Sequence, residues 1–185
     1  GSDELRHEFL APAIAGDMIG CIGVSETTAG SDVAGLKTTA RKDGDDYIIN
    51  GHKMWITNSP QADFICLLAN TSDDKPHVNK SLIIVPMNTP GITLSPHIEK
   101  LGMRSSETAQ VFFDNVRVPQ RYRIGHEGAG FMMQMLQFQE ERLFGAANII
   151  KGLELCVDQT IEYCRERKTF GNALIDNQVI HFRLA

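Results

Sequence analysis

Three short stretches of this 185-residue chain carry residue types whose spacing could do chemistry. The first, Val24-Ser25-Glu26-Thr27-Thr28-Ala29-Gly30-Ser31-Asp32, runs from a β-like stretch into small residues, hydroxyls and one glycine. A loop of that make-up lets backbone N–H groups approach an anion or the polar edge of a ring. The second, Gly51-His52-Lys53-Met54-Trp55-Ile56-Thr57-Asn58, holds the only tryptophan. A flat aromatic can stack on another planar ring, and a hydroxyl two residues on can hydrogen-bond to a ring nitrogen. The third, Glu140-Glu141-Arg142, sets carboxylates beside a guanidinium within a helical pattern. Each has an ordinary explanation by itself: a strand-to-loop junction, a core tryptophan beside a β-forming threonine, and a solvated helix face. None is a P-loop or a GxGxxG turn. The four cysteines, Cys21, Cys66, Cys156 and Cys164, form no CxxC pair and are expected to be reduced and mostly buried, with no metal site.

The elements that must position these residues change character near Gly125. Before it, runs rich in Val, Ile, Phe and Thr alternate with turn residues. Strands are expected at Cys21–Ser25, Leu36–Lys42, Tyr47–Lys53, Phe64–Ala69, Ser81–Pro86, Ile92–Pro96 and Thr108–Phe113. Asp43-Gly44-Asp45-Asp46 reads as a hairpin turn, and Asn70–Lys80 as a polar loop. His52 and His97 are expected in β segments and read as structural polar groups. After Gly125, Phe131, Met135, Phe138, Phe144, Ala147, Ile150 and Leu153 recur at helical spacing with no proline over Gly128–Arg167. That predicts one long bundle helix, stopped at Phe170-Gly171-Asn172 and followed by a second helix over Asp176–Ala185. The fold class is therefore α+β multidomain, an antiparallel β-barrel or sandwich followed by long helices of an incomplete helical bundle. The divisions fall at 1–15 (a tag remnant, Gly1-Ser2, and the end of an N-terminal helical domain), 16–125 (a middle β-domain) and 126–185 (the start of a C-terminal bundle). Phe182-Arg183-Leu184-Ala185 carries no stop signal, so the natural protein is expected to continue.

Composition sets the outer bounds. Hydrophobic residues make up 42% and charged residues 22%, with a formal net charge of −5. That is the balance of a globular domain, and without a Lys/Arg run it argues against nucleic acid as partner. No apolar run approaches the roughly 20 residues needed to span a bilayer.

Taken together, the stretches resemble the acyl-CoA dehydrogenase family. The pattern is a strand-loop ending in Gly-Ser-Asp-Val, followed by Asn-Gly-x-Lys-x-Trp-Ile-Thr-Asn. Leu101-Gly102-Met103-Arg104-Ser105-Ser106-Glu107, Phe113-Asp114-Asn115-Val116-Arg117-Val118-Pro119, Glu140-Glu141-Arg142 and Arg167-Lys168-Thr169-Phe170-Gly171 agree in order and spacing. The resemblance covers the chain from about Gly16 onward. It implies FAD held between the middle β-domain and the C-terminal helices. Ile22, Gly23, Val24, Ser25, Glu26, Gly30 and Ser31 would line the flavin's pyrimidine edge and the approach to the pyrophosphate. Trp55 and Ile56 would pack at the ring system and Thr57 would hydrogen-bond near N5. Arg167, Thr169 and Gln178 would reach the FAD of a neighbouring subunit. Ser31, Asn79, Gln139 and Arg142 would serve the CoA portion of an acyl-CoA, whose phosphates suit a guanidinium and hydroxyl donors.

The family reaction removes an α-proton from the thioester and passes the β-hydrogen to the flavin as hydride. Most members carry the base far along the C-terminal bundle, whereas a minority resembling the long-chain and isovaleryl types carry it just before the arginine of the first C-terminal helix. Glu141 stands at that position and is the expected general base. The chain departs from the family where Thr-Glu-Pro-Gly-Ala-Gly-Ser becomes Ser25-Glu26-Thr27-Thr28-Ala29-Gly30-Ser31. The resemblance further implies a homo-oligomer, dimer or tetramer, that hands electrons to an electron-transfer flavoprotein. It implies the mitochondrial matrix in a eukaryote and the cytoplasm in a bacterium. An acyl-CoA oxidase-like enzyme using oxygen and a truncated, non-catalytic binding protein are the alternatives.

Overall fold

The structure is a computed structural model that describes all 185 residues. The chain forms two compact units, Gly1–Met135 and Leu136–Ala185, and the division falls inside the longest helix.

The first unit is built on an eight-stranded sheet. Its strands are β1 (Gly20–Gly23), β2 (Thr39–Asp43), β3 (Asp46–Thr57), β4 (Phe64–Asn70), β5 (Lys80–Pro86), β6 (Ile92–Leu94), β7 (Thr108–Pro119) and β8 (Arg123–Ile124). All seven expected strands are present, and β3 and β7 run longer than their sequences suggested. The order is β6-β7-β3-β2-β4-β5-β8, with β1 also paired to β4. Most neighbours are antiparallel, but β1 runs parallel to β4, and β2 meets β4 in parallel at one pair alone, Thr39 with Asn70. The β-domain is thus mixed rather than wholly antiparallel.

That single pair joins two halves whose facing sides share a core. From β2, β3 and β7 come Ala40, Tyr47, Ile49, Ile56, Val111, Phe113, Val116 and Val118, and from β1, β4 and β5 come Cys21, Ile65, Leu67, Ala69, Ile83 and Val85. Strand alternation supplies these sets, because every second residue of a strand faces one side. The opposite face of β4 and β5 is covered by the N-terminal helical stretch, α1 (Asp3–Leu5), a π-turn (Arg6–Leu10) and α2 (Ala11–Ala15). Leu5 and Phe9 pack there with Ile84, Phe64 and Tyr122, and the Phe9 ring meets Phe64 and Tyr122 edge-on at 5.4 and 5.2 Å. The Tyr122 hydroxyl donates to Glu8 Oε1 at 2.6 Å, and this bond holds the Glu8 carboxyl below its usual range.

The β2–β3 hairpin turns where expected. Asp43 pairs with Asp46 across Gly44-Asp45, and Gly44 takes the left-handed φ of 61° that a two-residue turn requires. His97 lies outside any strand, on an exposed loop beside Glu99.

Helix α3 (Gly130–Glu166) has 37 residues, as the unbroken apolar spacing predicted. Its first turn docks on β5 through Gly130, where a Cβ would fall 2.6 Å from the Ser81 carbonyl carbon. No larger residue would permit that approach. In the second unit the helix leads to a small hairpin, β9 (Lys168–Thr169) with β10 (Asn172–Ala173), and then to α4 (Gln178–Leu184). The expected stop at Phe170–Asn172 is therefore a hairpin turn, with Phe170 and Gly171 both at positive φ. All four cysteines are free; Cys21 and Cys164 are buried, Cys66 is half-buried, and Cys156 is exposed on α3. No helix is long and apolar enough to cross a membrane.

Candidate functional site

The two segments singled out in the first hundred residues are brought side by side. The Met54 N–H donates to the Ser25 carbonyl at 2.8 Å. One residue earlier, Lys53 is fully buried, and its ammonium donates to the Val24 carbonyl at 3.0 Å and to Glu26 Oε1 at 2.9 Å. The Glu26 carboxylate also accepts the Thr38 N–H at 3.0 Å and the Lys37 N–H at 2.7 Å. Burial by itself would push the Glu26 carboxyl up, but the Lys53 ammonium and these hydrogen bonds hold it below the ordinary carboxylate range. Burial pushes Lys53 down to about 8, against the attraction of Glu26.

Beyond Lys53 the strand bulges. Lys53 pairs with Val111 and Ile56 with Ala109, so three steps on β3 match two on β7. Trp55 takes the extra place with a φ of 64°. For a bulky residue this is a strained backbone. Strict alternation from Tyr47, Ile49 and Lys53 would send Trp55 and Thr57 inward. The extra residue reverses that: Ile56 enters the core, and Trp55 (59% exposed) and Thr57 face out. Trp55 is therefore a surface ring, not a core anchor. On the far side of the bulge Ser59 Oγ donates to the Ile56 carbonyl at 2.8 Å.

In the adjoining segment Ile22, Gly30 and Ser31 are exposed and Ser25 half-buried, whereas Gly23, Val24 and Glu26 are buried. Glu26 therefore offers no free carboxylate to a ligand; its side chain is committed to Lys53 and the Lys37–Thr38 backbone. A tight turn closes the loop, with the Glu26 N–H on the Ala29 carbonyl at 2.8 Å. A Cβ at Gly30 would meet nothing within 4 Å, so this side of the loop stands open. An exposed flat ring, an outward threonine and a small-residue loop carrying hydroxyls are what a planar heterocycle with polar edges would need. Asn79 lies on the loop before β5, its Oδ1 accepting from the buried Lys80 ammonium at 2.9 Å, so that oxygen is already engaged.

The second unit holds the remaining predicted residues. Gln139, Glu141 and Arg142 are exposed on α3. Gln137 Nε2 donates to Glu141 Oε2 at 3.0 Å, the Arg142 guanidinium lies over the Phe138 ring at 5.6 Å, and Phe138, Glu141 and Arg142 line a shallow depression of about 280 Å³. Arg167 follows α3, Thr169 belongs to β9, and Gln178 opens α4, so these three flank the β9–β10 hairpin along the chain. Sequence reasoning passed over Lys53, Thr38 and the contact of Thr27 Oγ1 with His52 Nε2 at 2.9 Å. Lys53 was legible as the one charged residue on the inward register of β3.

Residues 21–116 match the acyl-CoA dehydrogenase middle domain, and residues 128–185 match the acyl-CoA dehydrogenase C-terminal domain. The chain belongs to the acyl-CoA dehydrogenase family. It is 36% identical over 185 residues to the mitochondrial short-chain specific acyl-CoA dehydrogenase of Rattus norvegicus, covering all of this chain and 45% of that protein. A probable acyl-CoA dehydrogenase from Mycobacterium abscessus matches with a TM-score of 0.95 at 40% identity, over the whole chain and 49% of that structure. The prolyl acyl carrier protein oxidase AnaB matches at 0.96 and 34% identity, over the whole chain and 49% of that structure. The chain thus spans about half the length of the acyl-CoA dehydrogenases it resembles.

Proposed function

We propose that this chain works within a flavin-dependent acyl-CoA dehydrogenase, which converts an acyl-CoA thioester to the trans-2-enoyl-CoA. The observation that carries this reading is the bulge at Trp55, which turns a flat ring and the Thr57 hydroxyl outward beside the Val24–Ser31 segment. In this reading the isoalloxazine packs on Trp55, and the 22–31 loop serves its polar edge. The bound FAD would supply the acceptor for the β-hydrogen, taken as hydride.

The thioester α-proton is only weakly acidic, so its removal needs a placed carboxylate stripped of water, with the developing enolate stabilised. Glu141 is the proposed base at that carbon. Its exposure in this unit means that the desolvation must come from further surfaces closing over it. Arg142 would hold CoA by charge, and Ser31, Asn79 and Gln139 would assist by hydrogen bonding. Arg167, Thr169 and Gln178 would reach a second subunit's FAD within a homo-oligomer. An electron-transfer flavoprotein would be the electron acceptor. The compartment would be the mitochondrial matrix in a eukaryote and the cytoplasm in a bacterium.

The test is to mix the full-length protein, without oxygen, with a panel of acyl-CoAs and to follow loss of the flavin's visible absorbance. Bleaching by at least one acyl-CoA supports the reading, and a protein that carries no flavin ends it. The likeness to an acyl carrier protein oxidase favours a second reading, in which oxygen takes the electrons. Rapid return of colour on admitting air would select that one.

A further inference from the structure

The strained tryptophan poses a question of support. A bulky residue at positive φ persists only where its surroundings over-determine it. After the bulge the support is plain, since Ile56 is buried and its carbonyl is held by Ser59 Oγ at 2.8 Å. Before the bulge the support is Lys53. Its ammonium bridges two points of the neighbouring segment, the Val24 carbonyl and the Glu26 carboxylate. Glu26 in turn gathers the N–H groups of Lys37 and Thr38. One ion pair, with side chains no more than 1% exposed, therefore ties β3, the 24–26 segment and the approach to β2 at one point. The next N–H along β3, that of Met54, closes on the Ser25 carbonyl.

A buried ion pair is no bargain for stability, because two charges must be taken out of water. An apolar side chain could fill the space of Lys53. It could not donate to the Val24 carbonyl, and it would leave Glu26 without a cation. What this pair supplies and an apolar one would not is a fixed spacing between the segment and the bulge.

We propose that Lys53 and Glu26 are the positioning pair of this site, holding the Val24–Glu26 segment and the Trp55 ring at the separation that receives the flavin. Neither touches the ligand; both act through Trp55 and the segment backbone. This rests on the flavin reading above.

The test uses the full-length protein, stripped of flavin and titrated with FAD well below its unfolding temperature. The variants are Lys53→Met, Glu26→Gln and Trp55→Ala, singly and with each of the first two combined with the third. Each of the first two singles should weaken FAD binding on the order of tenfold, as loss of supporting residues around a binding site commonly does. Each should also change the shape of the bound flavin's visible band, which reports the ring stacked on it. In the Trp55→Ala background the same two changes should cost much less, because the group they act through is gone. Wild-type affinity and band shape in both singles would overturn the inference, whatever their melting temperatures. So would penalties that simply add to that of Trp55→Ala. Failure of both singles to fold would assign the pair to the fold itself and overturn it too. A wild-type protein that binds no FAD would instead remove the reading on which the inference rests.

Discussion

The hydroxyl of Thr27 and Nε2 of His52 lie 2.9 Å apart, and they join the loop of the first motif to the strand of the second. Thr27 and Thr28 stand where most of the family has Pro-Gly. A proline stiffens a loop by fixing its own φ. Here a hydrogen bond to β3 supplies a local tether instead. Thr27→Val, which keeps shape and removes the bond, should cost about 0.5–1.5 kcal/mol in denaturant unfolding. His52→Phe should cost a similar amount, and the double variant no more than the larger single. Additive losses would show that the two side chains do not work together.

The Glu26 carboxylate predicts a pH dependence. Its native pKa lies below the 4.5 of the unfolded chain, so above 4.5 the group contributes stability, and the contribution is lost as pH falls through the lower native value. Lys53 acts in the same direction over an alkaline span. Its native value of about 8 lies below the 10.5 of the unfolded chain, so between these the unfolded chain holds more protons and this group makes stability rise with pH. Unfolding free energies measured across pH should show both slopes. Glu26→Gln should flatten the acid limb, and an acid limb unchanged in that variant would contradict the assignment.

Two glycines of α3 should respond in opposite directions. A Cβ at Gly130 would lie 2.6–2.8 Å from backbone atoms of Ser81 and Leu82, whereas one at Gly145 would meet nothing within 4 Å. Gly130→Ala should destabilise by about 1–3 kcal/mol through overpacking. Gly145→Ala should stabilise by about 0.5–1 kcal/mol through helix propensity. Thermal unfolding of the two variants checks both signs.

The cysteines should differ in reactivity. Burial pushes the Cys21 thiol up to about 12 and the Cys66 thiol up to about 11, so neither is a thiolate near neutral pH. Cys156 is exposed. Brief alkylation at pH 8 followed by mass spectrometry should mark Cys156 and leave Cys21 and Cys66 unmodified until denaturant is added. Early labelling of Cys21 would contradict its burial.

Glu141→Gln in the full-length protein should lower flavin reduction by acyl-CoA by roughly 10² to 10⁴-fold, the range for losing a general base. Stopped-flow absorbance reads this directly, and FAD content should stay at the wild-type level. A rate within a few-fold of wild type would place the base elsewhere.

Much of this was legible in the sequence, and the misses share one cause. Strand positions, the Gly44 hairpin and the length of α3 follow from local periodicity and turn chemistry. The parallel pairing of β1 with β4 does not, because it joins residues more than forty apart and leaves no local mark. The outward turn of Trp55 was hidden for a related reason. A bulge is one residue of mismatch against a partner strand, so neither strand declares it alone. Lys53 lay in plain view on the inward register of β3, yet its partner Glu26 is 27 residues away. The bulk of the sheet is written in single strands, and the candidate site in their pairing.

The left-handed tryptophan sets two selective pressures against each other. Trp55→Gly would relax the backbone and make the β-domain easier to fold, and it would remove the ring that the proposed site needs. A screen that rewards only solubility or heat resistance would therefore drift toward glycine at this position and arrive at robust proteins without the proposed stacking ring. Retention of an aromatic here would mark lineages in which chemistry is selected alongside stability.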